Sequence, residues 1–437
     1  MKATVEDKPT ALTARHRSPV GSNGKVVSRG KRLSSFDHFA QKTKDTLARV
    51  PLDAAMTSGR TGVKRNGNGN GSRPHLKIVI LGLSISSSWG NGHATTYRGL
   101  VKELAARGHE ILFLERDLKW YAANRDLPKP PYCRLALYED LKQLKEGFRL
   151  AIRDADLVIV GSYVPEGIEI GEWVTRVAGG ATAFYDIDTP VTMAKLEGGG
   201  LDYLSAALIQ RYTMYLSFTG GHVLDVLTRR YGAGMARPLY CSVDETLYFP
   251  EKRPVRWDLG YMGTYSDDRQ PAVEELLLRP ARAWDKGRFV VAGPQYPKDV
   301  RWPKNVKRYI HLAPEKHRAF YNQQRFTLNV TRAQMIEAGY SPSVRLFEAA
   351  ACGTPIISDL WEGLDTFFRP GEEILLANSG EDIIHYLVET PADERERIGA
   401  AARERVLEKH TSKHRAVELE TYALEVLHKT ADRKVLA

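Results

Sequence analysis

The chain has 437 residues, 43% hydrophobic and 27% charged, with a formal net charge of +10. That length exceeds one ordinary hydrophobic core, so two domains are expected. No apolar run approaches the roughly 18 residues that span a bilayer, and no apolar leader core stands at the N-terminus. The three scattered cysteines, Cys133, Cys241 and Cys352, lack metal-type spacing and fit a reducing cytosol.

The charge is unevenly placed. Residues 1–75 hold 15 Lys+Arg and 5 Asp+Glu, and the remainder holds 48 of each. A neutral body argues against a general nucleic-acid binder. The first 75 residues read as a disordered basic tail closing in the flexible linker NGNGNGSRP. Inside it, SSFDHFAQKTKDTLARV has helical spacing behind Ser35, with Phe36, Phe39, Leu47 and Val50 roughly on one side. Two readings stay open for the tail: a plain disordered extension, or peripheral contact with an anionic membrane or a protein partner.

From Leu76 the pattern changes. LKIVILGL is a short continuous apolar run, as a parallel strand covered on both faces requires. A polar loop follows, then the helix TTYRGLVKELAARG stopped by Gly108, then the strand HEILFLERD. The same strand–loop–helix order recurs at DADLVIVGSY, GGATAFYDIDTP and MYLSFTGGHVLDVLTRRYG. This alternation predicts a doubly wound α/β domain over 76–245. CSVDETLYFPEKRPVRW reads as a crossover into a second such domain over 246–410. Its predicted elements are DLGYMG, GRFVVAGPQ, a helix around PEKHRAFYNQQ, the strand RFTLNV, a capped helix, PIISD, EEILLAN and GEDIIHYLVE. A C-terminal helix over 411–437 is expected to cross back towards the first domain. Two such halves facing each other imply a cleft, where ligands bind at strand C-termini.

Candidate chemistry gathers at loops. In GYSPSVRLFEAAACGTPIISD, Ser341 suits an N-cap, Pro342 the first helical position and Gly353 the residue past the end. The backbone from Ser341 to Ser343 is then a ready anion site. Glu348, two turns further in, either pairs with Arg345 at i−3 on the surface or lines the cleft and accepts from vicinal hydroxyls. Arg332 after RFTLNV and Arg269 after the Gly260–Gly263 turn are placed to meet phosphates, with Gly263 letting backbone approach a ligand. In the first domain SISSSWGNGHATTYRG has the wrong spacing for a dinucleotide fingerprint, and Glu115 lies too far on for its ribose acid. His93, opening a helix, reads equally as a general base at the cleft edge or as a packed histidine. Asp186 and Asp188 in FYDIDTP read as cleft-lining acids, with turn-ordering by Asp188 as the plainer alternative. Motifs of serine hydrolases, zincins and P-loop enzymes are absent.

The helix motif, together with NVTR, PLYCSVDETLYFP, DLGYMGTYSDDR, FYDIDTP and WGNGHATTYRGLVKEL, resembles GT-B-fold glycosyltransferases over roughly Leu76 to Thr430. Within them it is most similar to the CgeB-like family named for a spore-maturation protein. The resemblance implies two Rossmann-like domains, acceptor at the first and nucleotide-sugar donor at the second. It implies a ribose-binding role for Glu348 and diphosphate binding by the helix start and nearby basic residues. It also implies no metal and no cofactor beyond the nucleotide-sugar co-substrate. The sequence departs from the retaining pattern eight positions before Glu348, where a second glutamate is expected and Tyr340 stands; the nearest carboxylate is Glu337.

The expectation is thus a cytoplasmic glycosyltransferase, membrane-peripheral if the tail makes that contact. Its donor side would comprise Glu348, Arg332, Arg269, Gly263, Ser341, Ser343, Arg345 and Tyr340, and its catalytic side His93, Asp186 and Asp188. The acceptor would be a sugar, lipid-linked or small-molecule hydroxyl, in envelope or glycoconjugate assembly. A non-catalytic scaffold of the same fold and a nucleotide-sugar epimerase are the rival readings.

Overall fold

A computed structural model describes residues 75–89 and 92–436. The basic segment, with the tail, linker and short-helix expectations that fall on it, lies outside the described residues. Two parallel sheets organise the rest. The first has seven strands in the order β3-β2-β1-β4-β5-β6-β7: β1 Lys77–Gly82, β2 Glu110–Arg116, β3 Arg134–Tyr138, β4 Leu157–Gly161, β5 Ala181–Asp186, β6 Met214–Ser217 and β7 Ala236–Pro238. The second has six, β10-β9-β8-β11-β12-β13: β8 Trp257–Met262, β9 Phe289–Ala292, β10 Val306–Tyr309, β11 Gln324–Asn329, β12 Ile356–Ser358 and β13 Leu375–Leu376. In each, the first strand of the domain lies centrally and the order reverses beside it, between β1 and β4 and between β8 and β11. This is the doubly wound arrangement with its switch point at the strand C-termini.

The apolar runs form strands because both faces are covered. Along β1, Ile78 and Ile80 pack with Leu100, Val101 and Leu104 of the helix Gly92–Ala106. The alternate residues Val79 and Leu81 face Leu144, Ile170 and Val174 of the helices behind the sheet. In the second sheet Leu259, Phe289 and Val291 share one core, and Val290 and Ala292 meet Leu346, Phe347 and Ala350 of the helix Val344–Ala351 in the other. The run of alanines brings that helix close to the sheet.

The chain passes between the sheets twice, and the crossings lie side by side. Val243 N donates to His410 O at 3.2 Å and Ser412 N to Val243 O at 2.8 Å. The helix Ser412–Leu436 then runs along the first domain, where Ala416, Leu419 and Ala423 join the core under β1. Glu420 accepts from Arg107 Nε at 2.6 Å and pairs with His109 Nε2 at 3.1 Å. Among the described residues no helix is long and apolar enough to cross a membrane.

Candidate functional site

A cleft of about 320 Å³ opens at the C-terminal ends of β8, β9 and β10 and is closed on its other side by Ser88, Gly92 and Thr95 of the first domain. Its floor is backbone. A Cβ on Gly293 would lie 1.9 Å from Gly263 O, so the loops after β8 and β9 approach closely only because this position is glycine. Both glycines line the cleft.

Glu348 lies in the wall of this cleft with 4% of its surface exposed. Tyr321 Oη donates to its Oε2 at 3.0 Å. Among the described residues no cation forms an ion pair with it. Arg345 turns the other way: its Nε donates to Met262 O, and its Nη1 donates to Asn329 Oδ1 at 2.8 Å and Ser343 Oγ at 3.4 Å. Its guanidinium also lies 5.2 Å from the centre of the Tyr261 ring. The surface pairing of Glu348 with Arg345 is therefore not formed. Arg345 instead ties the helix start to the ends of β8 and β11 while still lining the cleft.

The helix starts later than the cap residues suggest. Its N-cap is Ser343, in extended conformation, and the first helical residue is Val344. Ser341 is not the cap. It is buried, and its hydroxyl meets Thr219 Oγ1 of the first domain at 2.9 Å. Pro342 O accepts from Cys241 Sγ, and Gly220 N donates to Tyr340 O at 3.0 Å. Tyr340 has a left-handed backbone, φ 43°, and its ring fills the space that a Cβ on Gly221 or Gly363 would need. Residues 340–342 thus join the two domains, and Ser343 Oγ bonds Asn329 Oδ1 at 2.8 Å beside the cleft. Gly353 does take the left-handed conformation past the helix end, φ +71°. Glu337 is exposed on the short helix Ala333–Ala338.

Three guanidinium groups meet at the glycine end. Arg269 lines the cleft and is held by Thr264 O at 2.6 Å and Ser266 Oγ at 2.9 Å. Burial, with Arg345 and Arg332 nearby, pulls its pKa below the usual arginine value. No carboxylate among the described residues forms an ion pair with it. Arg332 bridges the domains, with Nη1 3.7 Å from Asp188 Oδ2 and Nε 3.7 Å from Asp268 Oδ2.

The two acids of FYDIDTP part company. Asp186 ends β5 fully buried and accepts from Tyr215 Oη at 2.5 Å, Thr192 Oγ1 at 2.8 Å and Asp188 N at 3.2 Å. Burial pushes its pKa up to about 6 despite these bonds. It is an internal anchor and not a cleft-lining acid. Asp188 precedes the helix Thr189–Gly198 and faces Arg332, with Tyr163 Oη donating to its Oδ2 at 2.9 Å. Its burial raises the pKa, against Tyr163, Arg332, Lys195 and Arg269, which pull it down. His93 packs edge-on against Tyr163, ring centres 5.4 Å apart, and burial lowers its imidazole to about 4. Glu115 is enclosed by the loop after β1 and accepts from Ser84 Oγ, Ile85 N, Ser86 N and Ser86 Oγ at 2.6–3.0 Å. It shapes the loop that carries Ser88 to the cleft. The chain signals neither Tyr321 nor Asn329 nor Tyr163 as site residues, because each is an isolated polar residue far in sequence from its partner.

Residues 269–421 match the sequence model of a family described as glycosyl transferase-like. Comparison with curated protein sequences finds no match. Solved structures share the architecture. Sucrose-phosphate synthase from Thermosynechococcus elongatus superposes with a TM-score of 0.60 at 16% identity, covering 80% of this chain and 99% of that one. Alr3699/HepE of Anabaena, in complex with UDP and glucose, gives 0.59 at 13% identity over 80% and 99%. An alpha-glucosyltransferase in complex with UDP gives 0.61 at 12% over 80% and 100%. The fold is GT-B, two Rossmann-like domains meeting at a cleft.

Proposed function

We propose that the protein transfers a glycosyl group from a nucleotide-diphosphate sugar to an acceptor hydroxyl, the second domain binding the donor and the first presenting the acceptor. The observation that carries this reading is Glu348, a carboxylate nearly buried in the cleft wall among neutral partners, the Tyr321 and Tyr248 hydroxyls. A buried carboxylate without a cation is costly. The vicinal hydroxyls of a ribose would supply the missing donors. At the other end, Arg269 and Arg345, with Arg332 beside them, concentrate positive charge above the bare backbone of Gly263 and Gly293, which suits a diphosphate. Because structures of the same fold are recorded with UDP, UDP is the first nucleotide to test.

Asp188 is the proton acceptor for the incoming hydroxyl in this reading. His93, neutral at pH 7, packs behind it against the Tyr163 ring. Rate enhancement comes from positioning and from stabilisation of the departing diphosphate by the arginines, which take the role a metal would otherwise have. Residues Ser343 and Arg345 hold the helix start that faces the donor. The motif resemblance favours a CgeB-like enzyme acting on a sugar, lipid-linked or small-molecule hydroxyl, in envelope or glycoconjugate assembly. Calorimetric titration with UDP, GDP, ADP and TDP, on the wild type and Glu348→Ala, tests it. Saturable binding of one nucleotide, lost in the variant, supports donor binding at Glu348. A folded protein that binds none of them favours a scaffold of the same fold.

A further inference from the structure

The loops after β4 and β5 are laced together in a way that donor binding does not require. Ile187 N donates to Ser162 Oγ at 3.1 Å, and Asp188 N to Asp186 Oδ1 at 3.2 Å. Asp186 is itself fixed by Tyr215 and by Thr192, whose hydroxyl also meets Tyr203 Oη at 3.0 Å. Between these loops stands Tyr163. It is one of four non-glycine residues with positive φ among those described, at 62°, a conformation that a bulky side chain adopts only where its surroundings hold it. The ring is gripped on several sides. Tyr203 lies 4.8 Å away between ring centres, His93 lies edge-on at 5.4 Å, and Lys195 Nζ is 5.8 Å from the ring centre. The strained backbone brings the hydroxyl to Asp188 Oδ2, at 2.9 Å, with the Tyr203 hydroxyl as its other partner.

We propose that Tyr163 is a positioning residue for the acceptor-side carboxylate: it fixes Asp188 in one orientation at the cleft and holds it ionised, ready to take the acceptor's proton. This rests on the glycosyltransferase reading above. Asp186 is the buried anchor of the Asp188 backbone, Tyr163 is the clamp on its side chain at Oδ2, and Oδ1 is the oxygen assigned to the acceptor. The step balances: the acceptor hydroxyl gives its proton to Asp188 as its oxygen bonds to the sugar carbon, and the bond to the nucleotide diphosphate breaks with its electron pair. Burial and the Asp188 charge keep the Tyr163 phenol protonated well above its usual range, so it remains a donor throughout. The charged or titratable groups facing Asp188 are Arg332 and Arg269 from the second domain, Lys195 from its own helix, and Asp186, Tyr203 and Tyr163 from the first domain, with His93 behind the Tyr163 ring. Tyr163→Phe leaves the arginines, Lys195 and Asp186 in place and also releases the Tyr203 hydroxyl, so Tyr203→Phe is the control that isolates the bond to Asp188.

The test reads Asp188 directly. In protein labelled with [13Cγ]aspartate, the resonance missing from Asp188→Asn is that of Asp188. Removing a hydrogen bond that favours the ionised form must move its titration to higher pH in Tyr163→Phe. Turnover of UDP-glucose at neutral pH should fall about tenfold, as loss of one charge-assisted hydrogen bond implies, while UDP affinity stays within twofold. An Asp188 midpoint that does not move in Tyr163→Phe overturns the inference, because a merely structural tyrosine would leave it in place. Asp188→Asn that transfers at the wild-type rate removes the base that Tyr163 would position and overturns the inference too, whereas wild-type protein that binds no nucleotide marks failure of the underlying glycosyltransferase reading.

Discussion

Replacing Glu348 by Gln tests the donor site by its chemistry. The side chain keeps its size, and its amide carbonyl still accepts from Tyr321 Oη, so the helix Val344–Ala351 keeps its packing. What changes is the charge offered to the ribose. A hydrogen bond to an ionised group contributes about 1.5–3 kcal/mol, so the wild type should prefer UDP over whichever of 2′-deoxy- and 3′-deoxy-UDP lacks the bonded hydroxyl by about 10- to 150-fold. In Glu348→Gln that preference should shrink to a few fold, which in a double-mutant cycle is a coupling of about 1–2 kcal/mol between the carboxylate and the hydroxyl. The assay is calorimetric titration of both proteins with all three nucleotides, with melting temperature as the control for folding. Because the substitution removes a buried charge, no loss of stability should accompany it. Equal discrimination in the two proteins would refute the ribose assignment, even if overall affinity had dropped.

Further outcomes follow from the charges around the cleft. Asp186 has its pKa raised to about 6 by burial, so between the unfolded value and pH 6 the native protein binds the extra proton. Stability is then full below about pH 4 and falls as pH rises towards 6, by roughly 3 kcal/mol; Asp186→Asn should remove this slope in urea unfolding at pH 4.5 and 7. Arg269→Met should weaken UDP about 10- to 100-fold while leaving uridine unchanged, and equal losses for both would place Arg269 away from the phosphates. His93 is held neutral at pH 7 by burial, its pKa lowered to about 4, so His93→Asn should lower turnover without moving any pH–rate limb near 6 and without changing nucleotide affinity. A limb near 6 that disappears in this variant would make the imidazole the proton acceptor.

The paired α/β architecture was readable because most strands carry a signal that their environment creates. β1, β4 and β9 are covered on both faces and appear as near-continuous apolar runs, and β5, β8 and β11 as mostly buried, apolar-rich segments. β3, β7 and β10, which escape notice in the chain, are all sheet edges. RLALY, ARP and VKRY are short and partly exposed, with charges facing solvent, so no periodicity marks them. Helix starts were less legible. Ser341-Pro342 has the composition of a cap, yet its donors and acceptors go to Thr219 and Cys241. A cap is a local motif, and here a tertiary contact more than 100 residues away in sequence outcompetes it.

The candidate site shows the same division. Glu348 could be singled out because a lone carboxylate among small and apolar residues contradicts its surroundings, a conflict that sequence alone displays. Whether it paired with Arg345 could not be read, because the partners of that guanidinium, Met262 and Asn329, arrive from other strands. Tyr340 illustrates the reverse. Its position departs from the two-glutamate pattern, and taken by itself that departure favoured a protein without catalytic chemistry. The structure gives the position another duty: the ring wedges between Gly221 and Gly363, and the backbone bonds Gly220 in the first domain and Glu362 in the second. A carboxylate there would forfeit the wedge and face the domain junction, not the cleft. The absence of glutamate at 340 therefore follows from how this chain joins its domains, and it carries no weight against a cleft whose charged groups, Glu348, Arg269 and Arg345, come from other positions.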